Sequence, residues 1–366
     1  MKGAIDRIQV SGFKSIRQAD VRLNALNVLI GANGVGKSNF IGLFKLLRNI
    51  IERRLQVYVG ASGGAGSLLH FGRKKTSAMK IELTFSDATN GYLCQLMGTD
   101  EDLLFFAEEE TWFHDKEKHE KTCPSRLGSG HRETRLVDDQ GIPLRGVAEH
   151  VFEVMRSWRT YHFHDTSPEA KMKQSCELHD NRSFKGDASN LAAFLYFLRE
   201  KHASHYRNII DAVRMMAPCV DDFILEPLAL NQNMIRLEWK EKGSDHVFGP
   251  GALSDGTLRF ICLAALLLQP NLPSTILLDE PELGLHPYAI VLLSELLRGA
   301  ATKTQVIAST QSTGLVNQFE PQDIIVVERE AGQSIFKRLD KNSMENWLED
   351  YGLGDLWEKN LLGGRP

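Results

Sequence analysis

Gly31-Ala32-Asn33-Gly34-Val35-Gly36-Lys37-Ser38 fits GxxxxGK[ST], the phosphate-binding loop pattern, and it dictates what must surround it. Backbone N–H groups converge on phosphate oxygens only where glycines admit unusual backbone angles and leave no side chain in the way. The loop must also deliver those groups to the positive end of a helix. Both neighbours are legible. Leu26 to Ile30 is an apolar strand, and from Asn39 to Arg53 the residues Phe40, Leu43, Phe44, Leu46, Leu47, Ile50 and Ile51 form a helical stripe. In that geometry Gly31, Asn33, Gly34, Gly36 and Asn39 belong to the anion cradle, Lys37 reaches the β- and γ-phosphates, and Ser38 ligates Mg2+.

The second half of such a site lies far downstream. Thr275 to Leu278 has the unbroken apolar character of a buried parallel strand, and it ends in Asp279 and Glu280. A carboxylate at that strand's end can hold the Mg2+ shell, and the next one can polarise an attacking water. Asp279 is therefore the expected magnesium residue and Glu280 the expected catalytic base. An apolar run followed by two acids is a weak signal alone; paired with the loop it is strong.

The rest of the chain reads as α/β. Ile5, Ile8 and Val10, then Val21 and Leu23, predict two short strands before the loop. Residues 60–75 are glycine-dense and read as a flexible loop, 80–85 and 103–107 as strands, and 108–145 as a polar surface excursion. Trp158 to Phe163 predicts a strand, and Leu191 to Met216 a largely helical stretch opening after Lys185-Gly186-Asp187, with Asp187 as its cap. Phe223 to Leu230 and Ile235 to Lys240 predict a hairpin turning at Asn231 to Asn233. Helices and strands then alternate to Ile324–Glu328.

Bulk properties narrow the class. With 42% apolar and 25% charged residues in 366, the chain is an ordinary globular protein with a large core. A net charge of −4 excludes a generally basic surface. It leaves local clusters at Arg53-Arg54 and Arg73-Lys74-Lys75, which read more readily as solvated charge than as a nucleic-acid groove. Five scattered cysteines without CxxC spacing predict reduced thiols. The N-terminus has no signal-peptide pattern, and the longest apolar run, Phe260 to Leu268, is too short to span a bilayer, so a cytoplasmic location is expected.

Leu253-Ser254-Asp255-Gly256-Thr257-Leu258-Arg259, about twenty residues before the acidic pair, resembles the signature motif of ABC-type ATPases. In that family the signature serine and glycine bind the γ-phosphate held by the opposite subunit. The resemblance thus implies that Ser254 and Gly256 contact ATP across a homodimer; a hydroxyl and a glycine at a helix start also suit an anion on physical grounds. Glu282-Leu283-Gly284-Leu285-His286-Pro287 resembles the D-loop that crosses such an interface. Val306 to Ser312 resembles the switch strand, with Gln311 where many relatives carry histidine. Gln311 can hydrogen-bond a γ-phosphate or water but carries no proton charge, which leaves the rate and its pH dependence open.

The spacing from Ser38 to Ser254, 216 residues, is far longer than in a transporter cassette, and the signature is SDGT rather than SGGQ. Val10-Ser11-Gly12-Phe13-Lys14-Ser15-Ile16, followed by GANGVGKSN, instead resembles the RecF/OLD/SMC branch of DNA-associated ATPases. No heptad run of three or more units is present, so long coiled-coil arms are not expected. The 54 residues after Ser312 are too few for the nuclease domain that OLD-type proteins append.

The resemblance implies a stand-alone bacterial ATPase head over residues 1–366: an α/β P-loop NTPase with a mixed sheet core, an N-terminal antiparallel β lobe (about 1–165), a helical segment (about 187–217), a second lobe (about 221–340) and a tail (about 341–366). It further implies ATP and Mg2+ as cofactors, closure as a homodimer over two ATP, and a separately encoded effector, a nuclease among the candidates. DNA is a candidate partner, a membrane is not, and DNA repair or anti-phage defence is the setting. The alternative is a nucleotide-dependent scaffold with negligible turnover.

Three weaker signals remain. His162-Phe163-His164-Asp165 sets His and Asp at alternate positions of one strand, but no partner cluster accompanies it, and polar strand-end residues are the plainer reading. Lys14 is either a nucleotide or interface cation or a surface lysine in a turn. Gln56 is a candidate for the glutamine loop that senses Mg2+ in ABC-type proteins.

Overall fold

The computed structural model describes residues 3–116, 122–342, 344, 347 and 350–365. From the N-terminus, β1 (Ile5–Phe13) and β2 (Ile16–Arg22) form a hairpin, β3 (Leu26–Ile30) enters the centre of the molecule, and α1 (Lys37–Ile51) leaves the glycine-rich loop. Two short helices, α2 (Leu55–Ala61) and α3 (Ala65–Leu68), lead to β4 (Ala78–Phe85), β5 (Asn90–Gly98), β6 (Leu104–Phe113) and β7 (Cys123–Gly128). These strands join the hairpin in one antiparallel sheet, β2-β1-β4-β5-β6-β7. In β4 the residues Met79, Ile81, Leu83 and Phe85 are fully buried and alternate with less buried neighbours, the period of a sheet covered on one face.

Next come α4 (Val147–Ser157), β8 (Arg159–Tyr161), β9 (Cys176–Glu177), α5 (Leu191–Lys201) and α6 (Ala203–Met216). The short strands β10 (Val220–Ile224), β11 (Pro227–Leu228), β12 (Asn231–Ile235), β13 (Glu238–Glu241) and β14 (Val247–Phe248) build two small sheets, β10-β13-β14 and β11-β12-β9. The chain ends with α7 (Asp255–Leu267), β15 (Thr275–Asp279), α8 (Pro287–Ala301), β16 (Gln305–Thr310), α9 (Thr313–Val316), β17 (Ile324–Glu330), β18 (Gln333–Arg338) and α10 (Leu353–Glu358).

The second large sheet has the order β18-β17-β3-β16-β15-β8; its strands are parallel except β18, which closes one edge antiparallel to β17. Its central strands are apolar throughout because both faces are covered. Leu29, Leu277, Ile307, Ile325 and Val327 pack into one core with α1 and the antiparallel sheet. Val28, Ile30, Ile276, Leu278, Val306 and Ala308 pack into the other with α5, α6, α7 and α8. Each such side chain taken from water contributes about 1.5–3 kcal/mol. The carboxyl ends of β3, β15 and β16 therefore emerge side by side from a rigid base.

This is the mixed-sheet α/β fold with an antiparallel β lobe that the sequence led us to expect, with local corrections. Residues 60–75 are not an unstructured loop: α2 runs into them, and α3 forms because Ala65, Leu68 and Leu69 are buried. The polar stretch from 108 is in part sheet. There β6 continues to Phe113 and pairs with β7, and the fully buried Glu109 accepts bonds from Tyr92 Oη (2.8 Å) and the Arg135 amide (2.9 Å). Residues 117–121 of that stretch, and 343, 345–346, 348–349 and 366 of the tail, lie outside the described residues.

The expected hairpin is nested. β10 pairs with β13 outside β11 and β12, so Asn231 to Asn233 belong to a strand and the turn falls at Ala229-Leu230. Asp187 caps no helix; its carboxylate accepts from the Ser189 amide (3.1 Å) and Lys171 Nζ (3.0 Å), α5 starts only at Leu191, and the helical stretch breaks at His202. Among the described residues no helix is long and apolar enough to cross a membrane.

Candidate active site

The loop between β3 and α1 is clamped from below. Gly36 adopts a left-handed φ of 119°, and a Cβ there would collide with Ser334 Oγ, so only glycine fits. Ser334, on β18, donates to Val35 O and shares a hydrogen bond with Ser15 Oγ (2.7 Å), while Asn39 Nδ2 donates to the same Ser15 oxygen (2.7 Å). The β1–β2 turn and the edge strand thus fix the loop from two sides. At the loop's end Lys37 is 5% exposed, and its Nζ donates to Gly31 O (2.5 Å) and Ala32 O (3.0 Å). Burial pulls its pKa down; Glu280, Asp279 and Glu282 oppose that pull.

Asn33, Gly34, Gly36, Lys37, Ser38, Asn39, Glu280 and Gln311 line one cavity of about 140 Å³. Four larger cavities, two of about 280 Å³ and the others of about 260 and 410 Å³, lie elsewhere, but none of them touches the loop. Chemistry rather than volume singles out the small one.

The far wall comes from the ends of β15 and β16. Asp279 pairs in register with Ser309, whose hydroxyl donates to Asp279 Oδ1. Glu280 sits in the left-handed region at φ 45°, held by its amide to Ser309 O (2.9 Å). For a glutamate that conformation costs about 1–3 kcal/mol, and such costs concentrate at functional sites. Its carboxylate accepts from Gln311 Nε2. Glu282, 7% exposed, accepts from Thr310 Oγ1 and from the Gln311 amide (3.3 Å), and its second oxygen is buried without a partner. Burial first, then the charge of Glu280, pushes the Glu282 pKa up.

Ser254 and Gly256 are elsewhere. Ser254 caps α7, its Oγ accepting from the Thr257 amide (3.1 Å); it is exposed, and neither residue lines the cavity. A Cβ on Gly256 would stand 2.6 Å from Gly284 O, so the start of α7 lies directly against the 282–287 turn. Arg259, one turn further on, donates to Leu283 O (2.6 Å), His164 O (2.8 Å) and Phe163 O (3.2 Å).

Sequence reasoning missed Ser15 and Ser334 as braces of the loop, Glu282 as the bracket between β15 and β16, and Arg259 as a tie. None of these carries a pattern in sequence; their partners are hundreds of residues away or in another loop. Gln56 does not line the cavity, its amide being spent on Leu104 O (2.9 Å) and Arg132 O (2.7 Å). Lys14 is half-buried beside Lys45, and burial lowers its pKa. His164 Nε2 lies 2.8 Å from Asp279 O, and His162 is half-buried with its pKa lowered by burial and by Lys45. Among the described residues no three His, Cys, Asp or Glu side chains converge to hold a metal directly.

The donor set fits a triphosphate and Mg2+. Gly34 has open space where a Cβ would stand, which leaves backbone room for an anion; Lys37 rests on the loop's own carbonyls, and the Ser38 hydroxyl and Asp279 carboxylate are hard oxygen ligands of the few-ligand kind that leave Mg2+ its waters.

A family model described as "AAA domain, putative AbiEii toxin, Type IV TA system" matches residues 26–317, well over half of the chain. No curated protein matches it by sequence. Among solved structures, it is similar to an Smc head bound to the C-winged helix domain of ScpA, at 15% identity over 93% of this chain and 99% of that one, with a TM-score of 0.59. An Smc head with an extended coiled coil, bound to the C-terminal domain of ScpA from Pyrococcus furiosus, gives 15% over 94% and 98%, TM-score 0.57. The Smc head with a coiled coil and joint from Pyrococcus yayanosii gives 12% over 94% and 99%, TM-score 0.54. At these identities the likeness is one of fold.

Proposed function

The chain belongs to this AAA-domain family and is an ATPase, and from that premise we propose that it is a switch that closes head to head over two Mg-ATP. One observation carries the reading. The loop, Glu280 and Gln311 meet in one cavity beside Asp279, while Ser254 and Gly256 stand apart at an exposed helix start. A γ-phosphate on one chain then has an open side, to which a second copy's α7 can offer its exposed start, with the Ser254 hydroxyl at its cap.

In this reading Gly31, Asn33, Gly34, Gly36, Lys37 and Asn39 hold the phosphates, and Ser38 and Asp279 would hold Mg2+, which would supply charge to neutralise the transferring group. Glu280 takes the proton of the attacking water, and Gln311 orients Glu280 and the γ-phosphate. Ser254 and Gly256 of the second copy close the site. The free energy of two shared nucleotides drives closure and hydrolysis releases it.

We place this single head in the cytoplasm, in DNA repair or anti-phage defence, with a separately encoded effector such as a nuclease. Two points support a protein partner: the family description names a type IV toxin–antitoxin system, and two similar Smc heads are held by ScpA. DNA is the other candidate partner; its binding would fall steeply with salt. A scaffold with slow turnover is the second reading, favoured by the Gln311 amide resting on Glu280; phosphate release with and without DNA separates the two.

The test is the solution mass of Glu280→Gln by light scattering. With Mg-ATP it should double, and Ser254→Arg in the same chain should abolish the shift. An unchanged mass in a chain that still binds ATP would sink the homodimer mechanism.

A further inference from the structure

At the carboxyl edge of the parallel sheet, β8 and β15 pair in register as Ile276 with Arg159, Leu277 with Thr160 and Leu278 with Tyr161. The next position puts His162 beside Asp279. On the other side Asp279 pairs with Ser309 and accepts its hydroxyl. Neighbours at one register position project to the same face, about 4.8 Å apart. Ser309, Asp279 and His162 therefore form a row. Its face is fixed by the residues two positions earlier: Leu277 and Ile307 pack into the core that holds α1. That is the helix whose first residues, Lys37 and Ser38, belong to the cavity. Within this row His162 Nε2 is buried and has no hydrogen-bond partner.

An orphaned buried imidazole nitrogen beside a carboxylate calls for a partner, since leaving it unpaired costs about 1–3 kcal/mol. The backbone around it is held independently: the His162 amide donates to Gly186 O (2.8 Å), His164 Nε2 lies on Asp279 O (2.8 Å), and Arg259 grips the carbonyls of Phe163 and His164. The backbone that carries the ring is thus set by its neighbours and not by a bond of the ring itself. With the proton on Nδ1, Nε2 is an acceptor.

We propose that His162 is a positioning residue of the metal site, accepting a hydrogen bond from a water in the shell of the divalent cation that Asp279 and Ser38 hold. It rests on the Mg-ATP reading of that site. Mg2+ keeps several waters, and each water bound to it needs an acceptor; partners of this kind typically change metal affinity 10- to 100-fold on removal.

The experiment is a Mn2+ titration of the full chain with a non-hydrolysable ATP analogue, reading free Mn2+ by electron paramagnetic resonance. His162→Phe and His162→Met remove the acceptor with different shapes, and thermal melts check that each folds. Both should weaken Mn2+ about 10- to 100-fold while analogue affinity in chelator stays unchanged, and His162→Gln, which keeps an acceptor, should retain most of it. Wild-type Mn2+ affinity in a folded Phe or Met variant overturns the proposal. Asp279→Ala is the control that separates the two claims. If Asp279→Ala leaves Mn2+ bound, the Mg-ATP reading fails; if it releases Mn2+ and the His162 variants do not, only His162 is dismissed.

Discussion

The two places to which we assign the nucleotide's phosphates are built in opposite ways. In the crevice at the ends of β3, β15 and β16 the groups are held within the same chain: Lys37 by the carbonyls of Gly31 and Ala32, Asp279 by Ser309, Glu280 by Gln311, and the loop's Val35 carbonyl by Ser334. At the start of α7, Ser254 is exposed and bonds only within its own first turn, to Thr257. Folding alone completes the first site. The second is finished as a cap and unfinished as a binding site. On the proposed reading the difference teaches where association would act, because preorganised groups bind without a partner and a bare helix start does not.

The largest effect should come from breaking the finished site. Lys37→Ala removes the buried cation among Asp279, Glu280 and Glu282, and turnover should fall at least about 10²–10³-fold, the loss seen when one donor to developing charge is removed. Mixing sharpens the comparison. A Lys37→Ala chain beside a Ser254→Arg chain forms one doubly damaged site and one intact site. Each variant should be inactive alone, and the mixture should recover part of the wild-type phosphate release. No recovery in a mixture that forms mixed dimers would mean that both residues serve the same chain's nucleotide.

A smaller effect is expected where the two regions touch. Gly256→Ala would place a Cβ 2.6 Å from Gly284 O, a backbone atom that cannot swing away. The start of α7 must shift, and displacements near 1 Å cost about 100-fold when they misplace reacting groups. Nucleotide binding to the single chain, measured by a fluorescent analogue, should stay as in wild type while turnover falls. Equal turnover in the two proteins would show that the junction tolerates movement.

How much of this was legible follows the same divide. The strand before the phosphate loop, the helix after it and the strand before the acidic pair all lie within short contiguous stretches whose pattern is itself the physical requirement, so these three elements read correctly. The braces do not: Ser334 reaches Ser15 across 319 positions, and the serine alone says nothing. Polar residues 108–113 read as surface because the partners that bury Glu109 lie outside that run, Tyr92 on β5 and the Arg135 amide beyond β7. Glycines at 60–66 masked the few apolar residues that fold α2 and α3. The HFHD tetrapeptide was visible, but only the register of β8 on β15 puts it beside Asp279.

Glu282 is where the comparison closes, because it belongs to both regions. Its carboxylate ties β15 to Thr310 and Gln311, and its turn continues through Leu283 and Gly284 to the contacts with Arg259 and Gly256. Burial and the nearby Glu280 raise its pKa above the ordinary 4.5. For an acid whose folded pKa is raised, the stabilising contribution is complete below the unfolded value and is lost as pH climbs through the folded one. Glu282→Gln keeps the acceptor for Thr310 and Gln311 and cannot ionise. Its stability relative to wild type, from denaturant midpoints at a series of pH values, should therefore be near zero or slightly negative at pH 4, rise as pH passes 4.5, and level off once the pH has passed the raised folded pKa. A difference flat across that range would mean that Glu282 carries its charge at no cost. The crevice and α7 would then be joined by a fixed anion, against the raised pKa that its burial produces.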